Sequence, residues 1–170
     1  LCEYLDAHNP LPALVTGLSH IHKAHFIAAL LSKDELLPVL VIAESEGEAQ
    51  KLCLDVNAML GENHALLYPA KELALGNYEA VSREYEHKRI FALNALSEGR
   101  CRCVICSAEA AAQLTIPPEE LKRRTIDICE GDDIPQDELT RRLLSAGYAR
   151  CDMIEGPGQF SVRGGIIDVF

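Results

Sequence analysis

The segment Gly17-Leu18-Ser19-His20-Ile21-His22-Lys23-Ala24 has the outline of a phosphate-binding loop. A working loop needs glycine, four residues, then glycine-lysine and a hydroxyl residue. Bare backbone amides cradle the phosphates, and the hydroxyl holds Mg²⁺. Gly17 and Lys23 occupy two of those positions. His22 stands where the second glycine belongs and obstructs the amides, and Ala24 cannot hold a metal. Two readings stay open: a chance match on an ordinary turn, or a vestige that has lost its nucleotide chemistry. Neither is a working ATPase site.

Three other groups invite chemistry and then fail to complete it. His20, His22 and His25 cluster, with His8 not far away, but no Cys or carboxylate at matching spacing completes a metal shell. Solvated or half-buried histidines at a helix start are expected. Cys103 and Cys106 form a C-x-x-C, yet inside a strand pattern whose alternation sends them to opposite faces. Buried core thiols are expected there. Nothing brings Glu155 and Asp168 together as a carboxylate pair, and Asp168 is expected to bond within the Arg163 turn. No catalytic residue, metal ligand or cofactor-binding residue is assigned.

Arg163 is the residue on which a functional reading rests. It follows Phe160-Ser161-Val162 and precedes Gly164-Gly165. Arginine presents a permanently charged, planar fork of donors, and the glycines let a partner backbone approach. Arginine is also enriched at the energetic centres of protein interfaces. Arg163, with Phe160 and Gly164 beside it, is therefore the expected protein-binding group. The competing reading is an arginine that braces its own hairpin.

The elements that must position these residues follow from periodicity. Leu14-Val15-Thr16 reads as a short strand before Gly17. Ser19 can cap a helix with Ile21, Ala24, Ala28 and Leu31 on one face. Pro38 to Ala43 reads as a parallel strand buried on both faces. Ser45 opens a helix carrying Ala49, Leu52, Val56 and Met59 or Leu60, closed by Gly61. Ala65 to Tyr68 is a third strand, a polar loop follows Pro69, and a helix spans about Val81 to Leu96. Cys103 to Cys106 is a fourth strand, and Ser107 caps an alanine-rich helix. This alternation predicts an α/β fold with a parallel sheet flanked by helices.

The pattern changes after Pro117-Pro118. Thr125 to Cys129 alternates as a half-buried strand, and Gly131-Asp132-Asp133 makes a turn. Pro135, Asp137 and Glu138 open a helix with Leu139, Leu143 and Ala146 inward, ended by Gly147. Tyr148 to Ile154, Gln159 to Arg163 and Ile166 to Phe170 supply further strands, the last buried on both faces. The expected division is residues 1–116 and 117–170, the second a small mixed α/β module. A buried strand stopping at Phe170 without turn or cap reads as a module cut short at its C-terminus.

Composition limits the classes. Of the 170 residues, 48% are hydrophobic and 25% charged, ordinary for a globular protein. A formal net charge of -10 argues against a nucleic-acid surface on this piece as a whole. No run approaches the roughly 18 apolar residues of a membrane helix. Leu1 to Asp6 lacks the basic region and apolar core of a signal peptide. Seven cysteines in a chain with a real core fit reduced thiols, so a cytoplasmic location is expected.

Gly147-Tyr148-x-Arg150-x-Asp152, then Glu155, then Gly158-x-Phe160-x-Val162-Arg163-Gly164-Gly165-Ile166-Ile167-Asp168-Val169-Phe170 closely resembles the N-terminal region of bacterial transcription-repair coupling factors, the Mfd family. Weaker matches upstream are Gly17-Leu18, Tyr68-Pro69-Ala70-x-Glu72 and the helix from Ser82 to Leu96 with Arg89 and Leu93. That region of Mfd is similar to the excision-repair helicase UvrB. The resemblance implies a RecA-like domain with a degenerate P-loop, joined to a module that binds the damage-recognition protein UvrA. It places Arg163 on the family's UvrA-contacting arginine. It implies a parent that uses ATP and Mg²⁺ to translocate on double-stranded DNA and dislodge stalled RNA polymerase. The parent's C-terminal domain would mask the UvrA-binding face at rest. His22 and Ala24 fit Mfd better than UvrB, whose loop is intact. The alternative is a nucleotide-binding piece of an active UvrB-like helicase.

Overall fold

The structure is a computed structural model, and it describes residues 12–32, 38–71 and 84–170. His8, Glu72, Val81, Ser82 and the polar loop after Pro69 therefore lie outside the described residues. The chain divides into two compact units. The first includes Lys88–Gln113 and the described residues before position 72. The second is Leu114–Phe170 together with the chain up to His87 that opens a helix.

The first unit is built on a three-stranded parallel sheet. Its strands are β1 (Val39–Ala43), β2 (Ala65–Tyr68) and β3 (Cys103–Ser107), in the order β1-β3-β2. Ile105 of the central strand pairs with Val41 on one side and Leu67 on the other. β3 is buried at all five positions because helices cover both of its faces. On one face, Cys103 and Ile105 pack with Ala24, Ile27 and Leu31 of α1 (His20–Leu31) and with Leu52 and Val56 of α2 (Glu46–Leu60). On the other, Val104 and Cys106 pack with Ala92 of α3 (Glu84–Ser97) and Ala110 of α4 (Ala108–Ala112). The C-x-x-C thiols thus face opposite ways, as strand alternation requires.

Local chemistry sets the helix ends. Ser45 and Ser107 each accept a cap bond, from the amides of Glu48 and Ala110. Ser19 stands at the start of α1 in extended conformation, but its side chain makes no cap bond. Asn57 ties α2 to the first residue of β2: its side chain donates to Ala65 O at 2.8 Å and accepts from Ala65 N at 2.9 Å.

Several expectations change. Leu14-Val15-Thr16 is not a strand, and Leu14 is 89% exposed. An apolar triplet becomes a strand only where a sheet edge receives it, and no described strand pairs with it. β1 is parallel but buried on one face only, with Leu40 at 60% and Ile42 at 57% exposure. Among the described strands it is one of the two edges of the sheet, and the helices cover its Val39 and Val41 side. On α1, Ile27 rather than Ile21 faces the core.

The second unit contains α5 (Pro118–Arg124), α6 (Gln136–Ala146), β4 (Ala149–Arg150), β5 (Gln159–Arg163) and β6 (Ile166–Val169). Its sheet runs β4-β5-β6, with β4 parallel and β6 antiparallel to β5. In α5, Glu120 pairs with Arg123 and Arg124, and the Arg123 guanidinium foremost holds its carboxyl down to about 2. Arg124 reaches the last turn of α6 by donating to Ser145 O at 3.2 Å. α6 carries Asp137 and Glu138 in its first turn, buries Leu143, and ends at Gly147, whose φ of 97° only glycine adopts freely. Tyr148 N then closes the end on Leu143 O at 3.0 Å.

Two strand expectations fail in this unit. Thr125 to Cys129 has no ladder partner and is largely exposed. Its end is fixed by a turn in which Cys129 N donates to Asp132 Oδ2 at 2.8 Å. From Tyr148 to Ile154 only Ala149–Arg150 joins the sheet. β6 is an edge strand with Ile166 and Val169 exposed and Ile167 and Asp168 half-buried, not one buried on both faces.

Burial raises the thiols of the first core, Cys53 to about 11 and Cys103 to about 12. The unfolded chain therefore ionises first, so their stabilising contribution is intact below about pH 9 and is lost as pH rises through about 11 to 12. Urea midpoints should be lower at pH 10.5 than at pH 8. The paired substitution Cys53→Ala, Cys103→Ala should shrink that difference; an unchanged difference would contradict this origin.

Candidate functional site

The β5–β6 hairpin carries the candidate site. Arg163 pairs with Ile166 across the two-residue turn Gly164-Gly165, and Gly164 takes a φ of 59°. Such tight hairpin turns need positive φ, which glycine adopts without strain. Gln136, the first residue of α6, donates to Gly164 O at 2.8 Å and fixes the tip. At the open end, Phe170 N bonds to Gln159 O and Gly158 N to Phe170 O, both at 3.0 Å. On the other side of β5, Ala149 N and Cys151 N donate to Gly158 O and Phe160 O at 2.8 and 2.9 Å. Gln159 Oε1 accepts from the amides of Glu155 and Gly156, ordering the preceding loop.

The register sorts the side chains. Arg163, Ile166, Asp168 and Phe170 lie on one face of the hairpin, while Phe160, Val162, Ile167 and Val169 lie on the other. Arg163 is 71% exposed in its side chain and forms an ion pair with Asp168, so Asp168 does bond within the Arg163 turn. Ile166 and Phe170 are exposed on the same face. A cationic fork flanked by uncovered apolar side chains on fixed backbone can recognise a protein surface.

Phe160 departs from the reading that put it beside Arg163 as a contact. It is wholly buried, on the opposite face. Its side chain is enclosed and presents no surface beside Arg163. Ser161 is buried as well, donating to Asp152 O at 3.1 Å. Gly164 lies at the exposed tip with Arg163.

The phosphate-loop outline is occupied differently. Gly17 does adopt a positive φ of 79°, but among the described residues no strand precedes it. Lys23 Nζ donates to Glu48 Oε1 at 2.7 Å, and this bond lowers the Glu48 carboxyl below its ordinary value. Ala24 is fully buried, so the position of the missing hydroxyl points into the core. A cavity of about 310 Å³ lies beside Lys23, lined also by Phe26, Val41, Glu44 and Leu52. His20 bonds Asp55 Oδ2 at 3.0 Å, and His22 and His25 are exposed. Glu155 and Asp168 form no pair, since Arg163 holds Asp168.

One polar group was not anticipated. Arg89 is buried with its guanidinium on the Tyr68 ring, donating to Pro69 O at 2.7 Å. The signal lay in its spacing. Arg89 stands on the stripe Ala92, Leu93, Leu96, where a charge on a buried face marks a specific partner. Tyr68-Pro69 and Arg89, separate pieces of the upstream resemblance, are in contact.

Residues 126–170, which include the hairpin and α6, match the family described as the UvrB interaction domain. Across a longer span the chain is similar to transcription-repair-coupling factors. It is 34% identical to that of Bacillus subtilis (strain 168), 31% to that of Staphylococcus haemolyticus and 29% to that of Staphylococcus aureus (strain USA300). Each match covers 157 residues, 92% of this chain, and the chain spans 13% of each relative's length. The resemblance read from the Gly147–Phe170 motif is thus supported by both comparisons. No described helix is long and apolar enough to cross a membrane.

The two ends of β5 should respond differently to truncation. Phe160→Ala should cost about 3–5 kcal/mol by emptying a wholly buried site. Arg163→Ala should cost less than about 1 kcal/mol, because its ion pair is solvent-exposed. Urea unfolding of the two variants checks the contrast, and a large loss for Arg163→Ala would mark it as a brace.

Proposed function

We propose that the second unit is a docking module for UvrA, within the N-terminal region of a transcription-repair coupling factor. The observation that carries this reading is Arg163, exposed on a fixed hairpin inside the span that matches the UvrB interaction domain. Ile166 and Phe170 supply apolar contact beside the guanidinium, and Gly164 lets the partner backbone close on the tip. Asp168 orients the fork toward the exposed face. In the longer parent, this module recruits UvrA after an ATP-dependent motor on double-stranded DNA has displaced stalled RNA polymerase. ATP and Mg²⁺ belong to that motor, and the parent's C-terminal domain covers the docking face at rest. The chain's net charge of -10 suits docking to a protein better than tracking along DNA. The setting is cytoplasmic.

The first unit we read as a RecA-like domain with a degenerate P-loop and no catalytic role. Its support is the Lys23–Glu48 bond, the side chain at His22 and the burial of Ala24. The cavity beside Lys23 is the one feature that favours the rival, a nucleotide-binding piece of an active UvrB-like helicase.

Arg163→Ala should weaken binding to immobilised UvrA by about 30-fold, the range of an interfacial arginine anchor, with circular dichroism unchanged. Unchanged retention by a natively folded variant would reject the assignment. Titration calorimetry with ATP and Mg²⁺ should show no binding heat. Micromolar binding abolished by Lys23→Ala would establish the rival instead.

A further inference from the structure

The carboxyl ends of β2 and β3 hold a polar cluster that the docking reading does not use. In open parallel sheets ligands gather at this end, where the strands stop and the connections open. Arg89 is at the centre of the cluster and only 3% exposed. Its Nη1 donates to Pro69 O at 2.7 Å and to Gln113 Oε1 at 3.2 Å. Its Cζ lies 4.0 Å from the centroid of the Tyr68 ring. Every one of these partners is uncharged. Glu46, an acid at this end of the sheet, accepts from Ala70 N at 2.9 Å and from Ser107 Oγ at 2.5 Å. Among the described residues, no carboxylate forms an ion pair with Arg89.

Among the described residues, two buried polar atoms of this cluster have no hydrogen-bond partner: Arg89 Nη2 and Tyr68 Oη. Both side chains are more than nine-tenths buried and they are stacked on each other. Native structures rarely leave such groups unmet, and a buried guanidinium also needs its charge balanced. A neutral acceptor would satisfy the hydrogen bonds and leave the charge. An oxyanion satisfies both, and arginine and phenol are both suited to donate to carboxylate or phosphate oxygen.

We propose that the stacked Arg89–Tyr68 pair is a buried oxyanion site, in which a carboxylate or phosphate oxygen accepts from Arg89 Nη2 and Tyr68 Oη. Gln113 holds the site's rim. Its Oε1 accepts from Lys71 N at 2.6 Å as well as from Arg89, fixing the backbone just past Pro69. The site does not depend on UvrA docking and can be tested apart from it.

The test is thermal unfolding of the 170-residue chain in sodium chloride, sodium phosphate and sodium acetate at matched ionic strength, pH 7. Phosphate, acetate or both should raise Tm over chloride by about 2–4 °C, as expected for a ligand present well above its Kd. Tyr68→Phe keeps the ring under the guanidinium and removes only the unpartnered hydroxyl. It should fold as well as the parent in chloride and lose more than half of the anion-dependent rise. Arg89→Gln should lose all of it. A rise in acetate alone assigns a carboxylate, and a rise in phosphate alone assigns a phosphate. Equal Tm in all three salts, or an undiminished rise in Tyr68→Phe, would overturn the proposal.

Discussion

Strand β3 must be covered on both faces, and the first unit is the solution to that requirement. All five of its residues are buried, and Ile105 is wholly enclosed. A parallel strand cannot be joined to its neighbours by tight turns, so each connection carries a helix back across the sheet. The crossover helices α2 and α3 lie on opposite faces, and α1 and α4, before and after the strands, complete the two apolar layers. The layer built by α1 and α2 rests on Cys103 and Ile105, and the layer of α3 and α4 on Val104 and Cys106. Burying a side chain such as Ile105 contributes roughly 1.5–3 kcal/mol. Removing water from both faces also drives the thiols upward and keeps them unreactive.

The same burial explains why polar groups in this unit are so specifically placed. Glu46, Arg89, Ser107 and Gln113 meet where β2 and β3 end and backbone groups lose their sheet partners. Each connection leaving the sheet exposes amides and carbonyls that need bonds. Side chains from three helical segments supply them to Pro69, Ala70 and Lys71. In the second unit the division of labour is simpler. Phe160 provides apolar anchorage, the backbone ladder closes the hairpin, and Arg163 is left free of structural duty except for Asp168. A side chain that contributes little to its own fold can take a role at an interface.

Much of this was legible in the chain. β-branched and apolar runs bounded by capping serines and terminal glycines located β1, α2, β2, β3 and α6 to within a residue or two. The Gly-Gly pair located the hairpin, and the two-residue alternation placed Cys103 and Cys106 on opposite faces. The failures have a common cause. Leu14-Val15-Thr16 and Thr125 to Cys129 have strand composition without a strand partner. β1 and β6 have the apolar content of inner strands but stand at sheet edges. Periodicity reports what a segment can bury. It does not report whether a neighbour is present to bury it against.

For the candidate site, the sequence by itself determined the chemistry available: a guanidinium, two glycines and apolar neighbours at the hairpin, and at Gly17 to Ala24 only the outline of a phosphate loop, without a second glycine or a hydroxyl at the metal position. These follow from residue type, which folding does not alter. Only the tertiary structure decided which faces are covered and which distant groups meet. It enclosed the Phe160 side chain and left the Arg163 side chain exposed, a choice that strand alternation alone does not make. It tied Lys23 to Glu48, and it brought Arg89 onto Tyr68 from a distant helix. Contacts between residues far apart in the chain depend on how the layers pack, and no local pattern carries that information.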